Sequence, residues 1–139
     1  MPETLEAGTN FTFPDPPEQL PQWAVEESKQ WKDLDEFDIL AQAESFSGRT
    51  VELQHVPLSE NLWGLHVARG DRARIYVNRC LPLPWRRFAL FHELYHLLYH
   101  SRGEDFWSLT ATPMTSFEYQ ADMFAWASMR TEWNGESSF

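Results

Sequence analysis

The chain has 139 residues, 42% of them hydrophobic and 23% charged, and a formal net charge of −10 at pH 7. This length suits one domain around a single hydrophobic core. Direct nucleic-acid binding is disfavoured, because phosphate contacts need a basic stripe. The excess negative charge lies in residues 1–60, which hold 13 acidic and 3 basic side chains. We interpret this charge as a solvated acidic surface, with a docking surface for a basic partner as the alternative.

The first 21 residues form a separate segment. They hold five of the nine prolines and no Lys or Arg. We therefore predict a flexible, Pro-rich acidic lead over residues 1–21 and one folded domain over residues 22–139. The chain shows neither the basic start of a secretory signal nor an apolar run that could span a membrane. Its single cysteine, Cys80, excludes an internal disulfide, so a cytoplasmic location is expected.

The predicted elements give an α+β fold. Residues from about 18 to 43 are predicted to be helical, as one helix or as two broken near residues 31–33. Three β-like runs follow, at residues 50–56, 62–68 and 73–78. Gly70 and Asp71 suit a tight hairpin, so we expect a small antiparallel three-stranded sheet. A helix is then predicted over residues 84–101, and another that opens at Thr115 or Ser116.

Residues 92–96 read His-Glu-Leu-Tyr-His. On a helix the two imidazoles are separated by about 6 Å of rise, so both can bind one metal ion, with Glu93 held beside it. The pattern H-E-x-x-H is typical of zinc peptidases, in which two His bind Zn²⁺ and the Glu is the general base. This helix is apolar on nearly every side, which predicts that His92, Glu93 and His96 are buried and need a partner such as a metal ion.

The next helix supplies candidates for a third metal ligand. Glu118 and Asp122 are four residues apart and share a helix face, so one carboxylate could bind the metal while the other orients a ligating His. Alternatively, Glu118 closes a capping box that begins at Thr115. His100 lies about 12 Å from His92 along the helix axis, so it is not expected to reach the same ion.

Residues 86–100 together with residues 118–125 resemble the ImmA/IrrE family of metallo-endopeptidases. That family pairs H-E-x-x-H with a later E-x-x-A-[ND]-x-F-A, and the resemblance covers about residues 35–127. It implies a minimal zincin-like domain, with a buried H-E-x-x-H helix and a following helix that carries the third ligand.

The resemblance also implies roles for individual residues. His92, His96 and Glu118 would bind Zn²⁺, and Glu93 would be the general base. Asp122 would orient one of the metal ligands without binding the ion itself. Family members are typically intracellular peptidases that cleave a helix-turn-helix repressor, so a DNA-binding repressor is the expected protein substrate and partner.

Several points stay open at the level of sequence. The family usually has Gly where this chain has Tyr95. Tyr95, Tyr76 and His66 are the candidates for stabilising an oxyanion, and the strand over residues 73–78 is expected to offer an edge to an extended substrate. Two rival interpretations are a non-catalytic module that sequesters a repressor or antitoxin, and a metal-free fold with a chance motif.

Overall fold

The computed structural model describes residue 13 and residues 15–58, 62–99, 106–110 and 119–135. Its elements confirm the α+β fold class. In chain order they are α1 (Gln22–Ser28), α2 (Glu36–Ser47), β1 (Thr50–Val56), β2 (Gly64–Arg69), β3 (Arg72–Asn78), α3 (Leu83–Tyr99), β4 (Phe106–Thr110) and α4 (Tyr119–Gly135).

The first helical region consists of two helices. Between them Asp33 adopts a left-handed conformation, with φ of 69°, which an α-helix cannot accommodate. Asp35 then caps α2, because its side chain accepts a hydrogen bond of 2.8 Å from the backbone N–H of Asp38. Trp31, which lies between the two helices in the chain, is fully buried and packs against Phe46 of α2 and Phe124 of α4. The alternative of one continuous helix is therefore wrong.

The strands form a four-stranded sheet in the order β1-β3-β2-β4. Strands β2 and β3 make the predicted antiparallel hairpin, closed by a two-residue turn between Arg69 and Arg72. Gly70 starts that turn with φ of 58°, a value that favours glycine. Strand β4 adds to β2 in the antiparallel sense.

The expected antiparallel three-stranded arrangement is wrong in two respects. A fourth strand, β4, extends the sheet, and β1 pairs with β3 in the parallel sense, from Thr50 opposite Arg72 to Val56 opposite Asn78. The connection over residues 57–63 is longer than a tight hairpin needs, and β3 is inserted between β1 and β2. Strands two positions apart lie about 10 Å from each other, a distance that such a connection spans.

The helices pack against one face of the sheet. Ile75 and Val77 of β3 point into the core and meet α3, while α4 packs against both α3 and α1. Nine residues of α3 are buried, including His92 and Glu93, whereas His96 is partly buried. The prediction of a buried helix is thus confirmed, with His96 as its more accessible site residue. None of the described helices is long and apolar enough to cross a membrane.

The opposite face of the sheet carries arginines. Arg69, Arg72 and Arg74 line a cleft of about 370 Å³ on that face, together with Tyr76. Arg74 Nε donates a hydrogen bond of 3.0 Å to Glu52 Oε1 on the neighbouring strand. The arginines of the β2–β3 hairpin are therefore separated from the H-E-x-x-H helix by the thickness of the sheet.

Candidate metal centre

The two histidines of the motif face each other across one turn of α3. Their ring centroids are 5.1 Å apart, with 63° between the ring planes. His92 is fully enclosed, with 1% of its surface exposed. The i, i+4 spacing thus places two imidazoles on the same side of a buried helix, as one shared metal ion requires.

Asp122 approaches His92 from the neighbouring helix. His92 Nδ1 lies 2.8 Å from Asp122 Oδ1, and both side chains are buried. Ala121 and Ala125 are also buried on this part of α4, and such small side chains let α3 and α4 come close. A carboxylate at Nδ1 fixes the imidazole tautomer and leaves Nε2 as the nitrogen that would face a metal.

The predicted third ligand, Glu118, lies outside the described residues, as do Thr115 and His100. Its roles as ligand or as part of a capping box both remain predictions. Within the described part of the chain, no three His, Cys, Asp or Glu side chains surround a common point. The described donor set therefore consists of two histidines, one of them held by a carboxylate.

Glu93 points from α3 toward the sheet. Its carboxylate is fully buried, and its Oε1 is hydrogen-bonded to Nδ1 of His66, a residue of β2 that is 1% exposed. The His66 ring also stacks on His96, with centroids 5.4 Å apart and 17° between the planes. One imidazole from the sheet thus contacts both the predicted base and a predicted ligand.

From the sequence, His66 was predicted only as one of three candidates for stabilising an oxyanion. Its signal is the alternation of β2, in which Gly64, His66 and Ala68 all point toward the helices. A histidine on the inward face of a strand, with an apolar helix predicted above it, needs a polar partner. Nothing in the sequence indicated that Gly64 lies against Glu93.

The side chains of the other two oxyanion candidates make contacts elsewhere in the fold. Tyr76 is on the arginine-bearing face of the sheet, where its hydroxyl accepts a hydrogen bond of 3.1 Å from Arg74 Nη1. The Tyr95 ring packs between Trp23 of α1 and Phe124 of α4, with centroid distances of 6.0 and 5.2 Å. Burial raises the pKa of Tyr95, and the Glu27 carboxylate raises it further. The residue that replaces the family's Gly thus belongs to a helix–helix contact.

The strand that was expected to pair with an extended substrate, β3, is not at an edge of the sheet. Strand β3 lies between β1 and β2, so its backbone hydrogen-bonding groups face partners on both sides. The prediction that residues 73–78 offer an edge to a substrate is therefore wrong. Among the described strands, β1 and β4 lie at the edges of the sheet.

Aromatic rings cover the side of the site near the start of α3. Four edge-to-face pairs form among Trp63, Trp85, Phe88 and Trp126, at centroid distances between 5.1 and 5.8 Å. Phe88 in turn lies 6.4 Å from the His92 ring. Edge-to-face pairs of this kind stabilise a buried cluster beyond the area that they bury. The cluster anchors Trp63 directly before β2.

A peptidase family model described as the IrrE N-terminal-like domain matches residues 34–129, which include His66, His92, Glu93, Glu118 and Asp122. No curated protein and no solved structure matches the chain. The match confirms the family predicted from the motifs, and a metallopeptidase family implies a metal cofactor. The chain therefore belongs to the metallopeptidase family of the IrrE N-terminal-like domain.

Proposed function

We propose that the protein is a zinc-dependent endopeptidase that hydrolyses a peptide bond in a regulatory protein. The observation that carries this proposal is the contact of 2.8 Å between His92 Nδ1 and Asp122 Oδ1 in a fully buried setting. A buried carboxylate that fixes the tautomer of a helical His, one turn from a second His, is characteristic of zinc sites. Chance placement of an H-E-x-x-H motif does not account for it.

The residues fit a zinc ion. Imidazole nitrogens and a carboxylate oxygen are common zinc ligands, and catalytic sites use three such donors. His92 would bind through Nε2, because Nδ1 is engaged by Asp122. His96 would be the second ligand, and Glu118 is the proposed third. When bound, zinc supplies polarisation of the substrate carbonyl and a lowered pKa for water.

Glu93 is the proposed proton carrier. Its carboxylate accepts a proton from the attacking water, and the water oxygen bonds to the carbonyl carbon of the substrate. As the C–N bond breaks, the same carboxylate delivers the proton to the leaving amine. Asp122 keeps His92 oriented through both steps, and the aromatic cluster around Phe88 excludes solvent from one side of the site.

The proposed substrate class comes from the family resemblance. A helix-turn-helix repressor is the proposed partner, cleaved by the protein without direct contact between the protein and nucleic acid. The net charge of −10 supports a basic protein as partner, since opposite charges favour encounter. A repressor encoded beside the gene for this chain is the substrate to test first.

Zinc content tests the ligand set. The purified protein should carry one zinc per chain by elemental analysis, and His92→Ala, His96→Ala and Glu118→Ala should each lose most of it. His55→Ala is a matched control, since Nε2 of His55 pairs with Glu36 at 2.8 Å, away from the motif. Full zinc in Glu118→Ala would remove Glu118 from the ligand set.

Cleavage tests the reaction. Incubation with the candidate repressor should yield defined fragments, and Glu93→Gln should bind the repressor but leave it intact. Binding by both forms with cleavage by neither would favour a module that sequesters its partner. The absence of zinc from the purified wild-type protein, and its failure to take up added zinc, would reject the metallopeptidase assignment for this chain.

A further inference from the structure

We propose that His66 is a positioning residue that holds Glu93 in place, and that Gly64 provides the space in which the Glu93 side chain lies. The two residues sit on the inward face of β2, two positions apart. This inference rests on the proposed function, in which Glu93 carries the proton.

The first observation is the buried pair itself. His66 and Glu93 are 1% and 0% exposed, and Nδ1 of the imidazole is hydrogen-bonded to Oε1 of the carboxylate. A carboxylate removed from water is destabilised unless polar groups contact it, so this hydrogen bond stabilises the Glu93 side chain in its buried position. His66 thus determines where the carboxylate lies.

The second observation is the space at Gly64. A Cβ atom at this position would lie 2.8 Å from the backbone oxygen of Tyr76 and 3.2 Å from Cγ of Glu93. The first distance is shorter than side chains tolerate, and the second is tight. The backbone of β2 therefore contacts the Glu93 side chain at a point where any larger residue would displace it.

The third observation links the base to a proposed ligand. The His66 ring stacks on His96 at 5.4 Å, so one imidazole contacts both the carboxylate and the His96 ring. Trp63, which is 2% exposed and part of the aromatic cluster, fixes the chain next to Gly64. The sheet can therefore set the position of Glu93 relative to the proposed ligand.

These contacts suit a general base. A Glu side chain has three rotatable bonds, and a base is effective only within hydrogen-bond reach of the proton that it takes. A hydrogen bond at Oε1 and the backbone of β2 at Cγ restrict those rotations before a substrate arrives. Fixing the reacting group in advance lowers the entropy cost of the reaction.

Two substitutions separate the hydrogen bond from the packing of the ring. His66→Phe keeps an aromatic ring against His96 but has no hydrogen-bond donor. His66→Asn loses the ring but places an amide nitrogen near the position of Nδ1. His55→Phe is the matched control, because His55 lies on β1 and pairs with Glu36 away from the motif.

The probe is acetohydroxamate added to the zinc-loaded protein, with affinity measured by titration calorimetry. A hydroxamate on zinc offers a proton that a neighbouring carboxylate accepts, so its affinity reports whether Glu93 is in place. We expect Glu93→Gln and His66→Phe to weaken binding about tenfold each, with little further loss in the double variant. His66→Asn should restore most of the affinity, and His55→Phe should match the wild type. Zinc content should be unchanged throughout.

The outcomes are distinct. Equal affinity of the wild type and Glu93→Gln would overturn the proposed role of Glu93. A loss in Glu93→Gln with none in His66→Phe would overturn this inference alone. Loss of zinc from His66→Phe, or no restoration by His66→Asn, would also overturn it, because His66 would then act as a ligand or by packing. If His66→Phe does not fold, His66→Leu, which also lacks a hydrogen-bond donor, is judged by the same criteria.

Discussion

The contact between Asp122 and His92 is the residue-level feature on which the proposed metal site depends. Asp122→Asn keeps the shape of the side chain and a hydrogen-bond acceptor, but it removes the negative charge that makes the imidazole a better ligand. We expect zinc affinity to fall about 10- to 100-fold, as for comparable partners of metal-binding histidines. Competition with a chromogenic chelator measures it, and unchanged affinity would show that this carboxylate does not support a ligand.

Gly64 lies where the backbone of β3 and the side chain of Glu93 come close to β2. Gly64→Ala places a methyl group 2.8 Å from the Tyr76 backbone oxygen, so β2 and β3 must separate or Glu93 must move. We expect a loss of about 1–3 kcal/mol in the free energy of unfolding, as overpacking typically costs. Urea denaturation of the metal-free protein measures this loss. Equal stability of Gly64→Ala and the wild type would mean that β2 is free to shift.

Helices α1 and α3 are joined through two tyrosines. The Tyr95 and Tyr99 rings are in tilted contact with their centroids 4.7 Å apart, and the Tyr99 hydroxyl donates a hydrogen bond to Glu27 of α1. Burial raises the pKa of Tyr99 above its ordinary value, and the hydrogen bond to Glu27 raises it further. The contact between these helices therefore requires the protonated phenol.

Because of this contact, the stability of the folded protein should decrease at high pH. Since the folded state holds the Tyr99 proton more tightly than the unfolded state, the stabilisation is complete below the unfolded pKa of about 10 and declines as pH rises above it. In urea denaturation between about pH 8 and 11, Tyr99→Phe should show a shallower decline than the wild type. Tyr119→Phe, at an exposed position, is the control. Equal slopes for Tyr99→Phe and the wild type would contradict the prediction.

Individual helices and strands could be predicted from the sequence more readily than their arrangement in the sheet. The three strand runs and the helix over the H-E-x-x-H motif were predicted to within about two residues, because alternation, proline and glycine act on neighbouring residues. The parallel pairing of β1 with β3 was not predicted, since it depends on which strand inserts between two others. The break between α1 and α2 was one of two alternatives, and the left-handed Asp33 decides it.

The proposed site also combines residues that are close in sequence with residues that only the folded chain brings together. His92 and His96 are brought together by helix periodicity alone, and Asp122 by a helix that packs close to the first, so sequence spacing suffices to propose them. His66 lies 27 residues before Glu93 and meets it only when the sheet packs under α3. Contacts between layers have no fixed spacing in the sequence, which is why the support of Glu93 was missed.

Metal binding should also govern the stability of the whole domain. The proposed ligands lie on α3 and on the segment that leads into α4, so a zinc ion would join two helices that otherwise meet through packing. Binding to the folded state alone adds RT ln(1 + [L]/Kd), about 4 kcal/mol when free zinc is a thousand times Kd. For a domain of this size we expect removal of the metal to lower Tm by roughly 10–20 °C.

Differential scanning fluorimetry with EDTA, followed by addition of excess zinc, measures the effect. The Tm of the wild type should fall in EDTA and recover when zinc is added, whereas His92→Ala should melt at the lower temperature under both conditions. His55→Ala should follow the wild type, because a histidine outside the motif does not bind the metal. A Tm that EDTA leaves unchanged in a protein shown to contain zinc would mean that the ion does not link α3 to α4, and Glu118 would then be the first ligand to reassign.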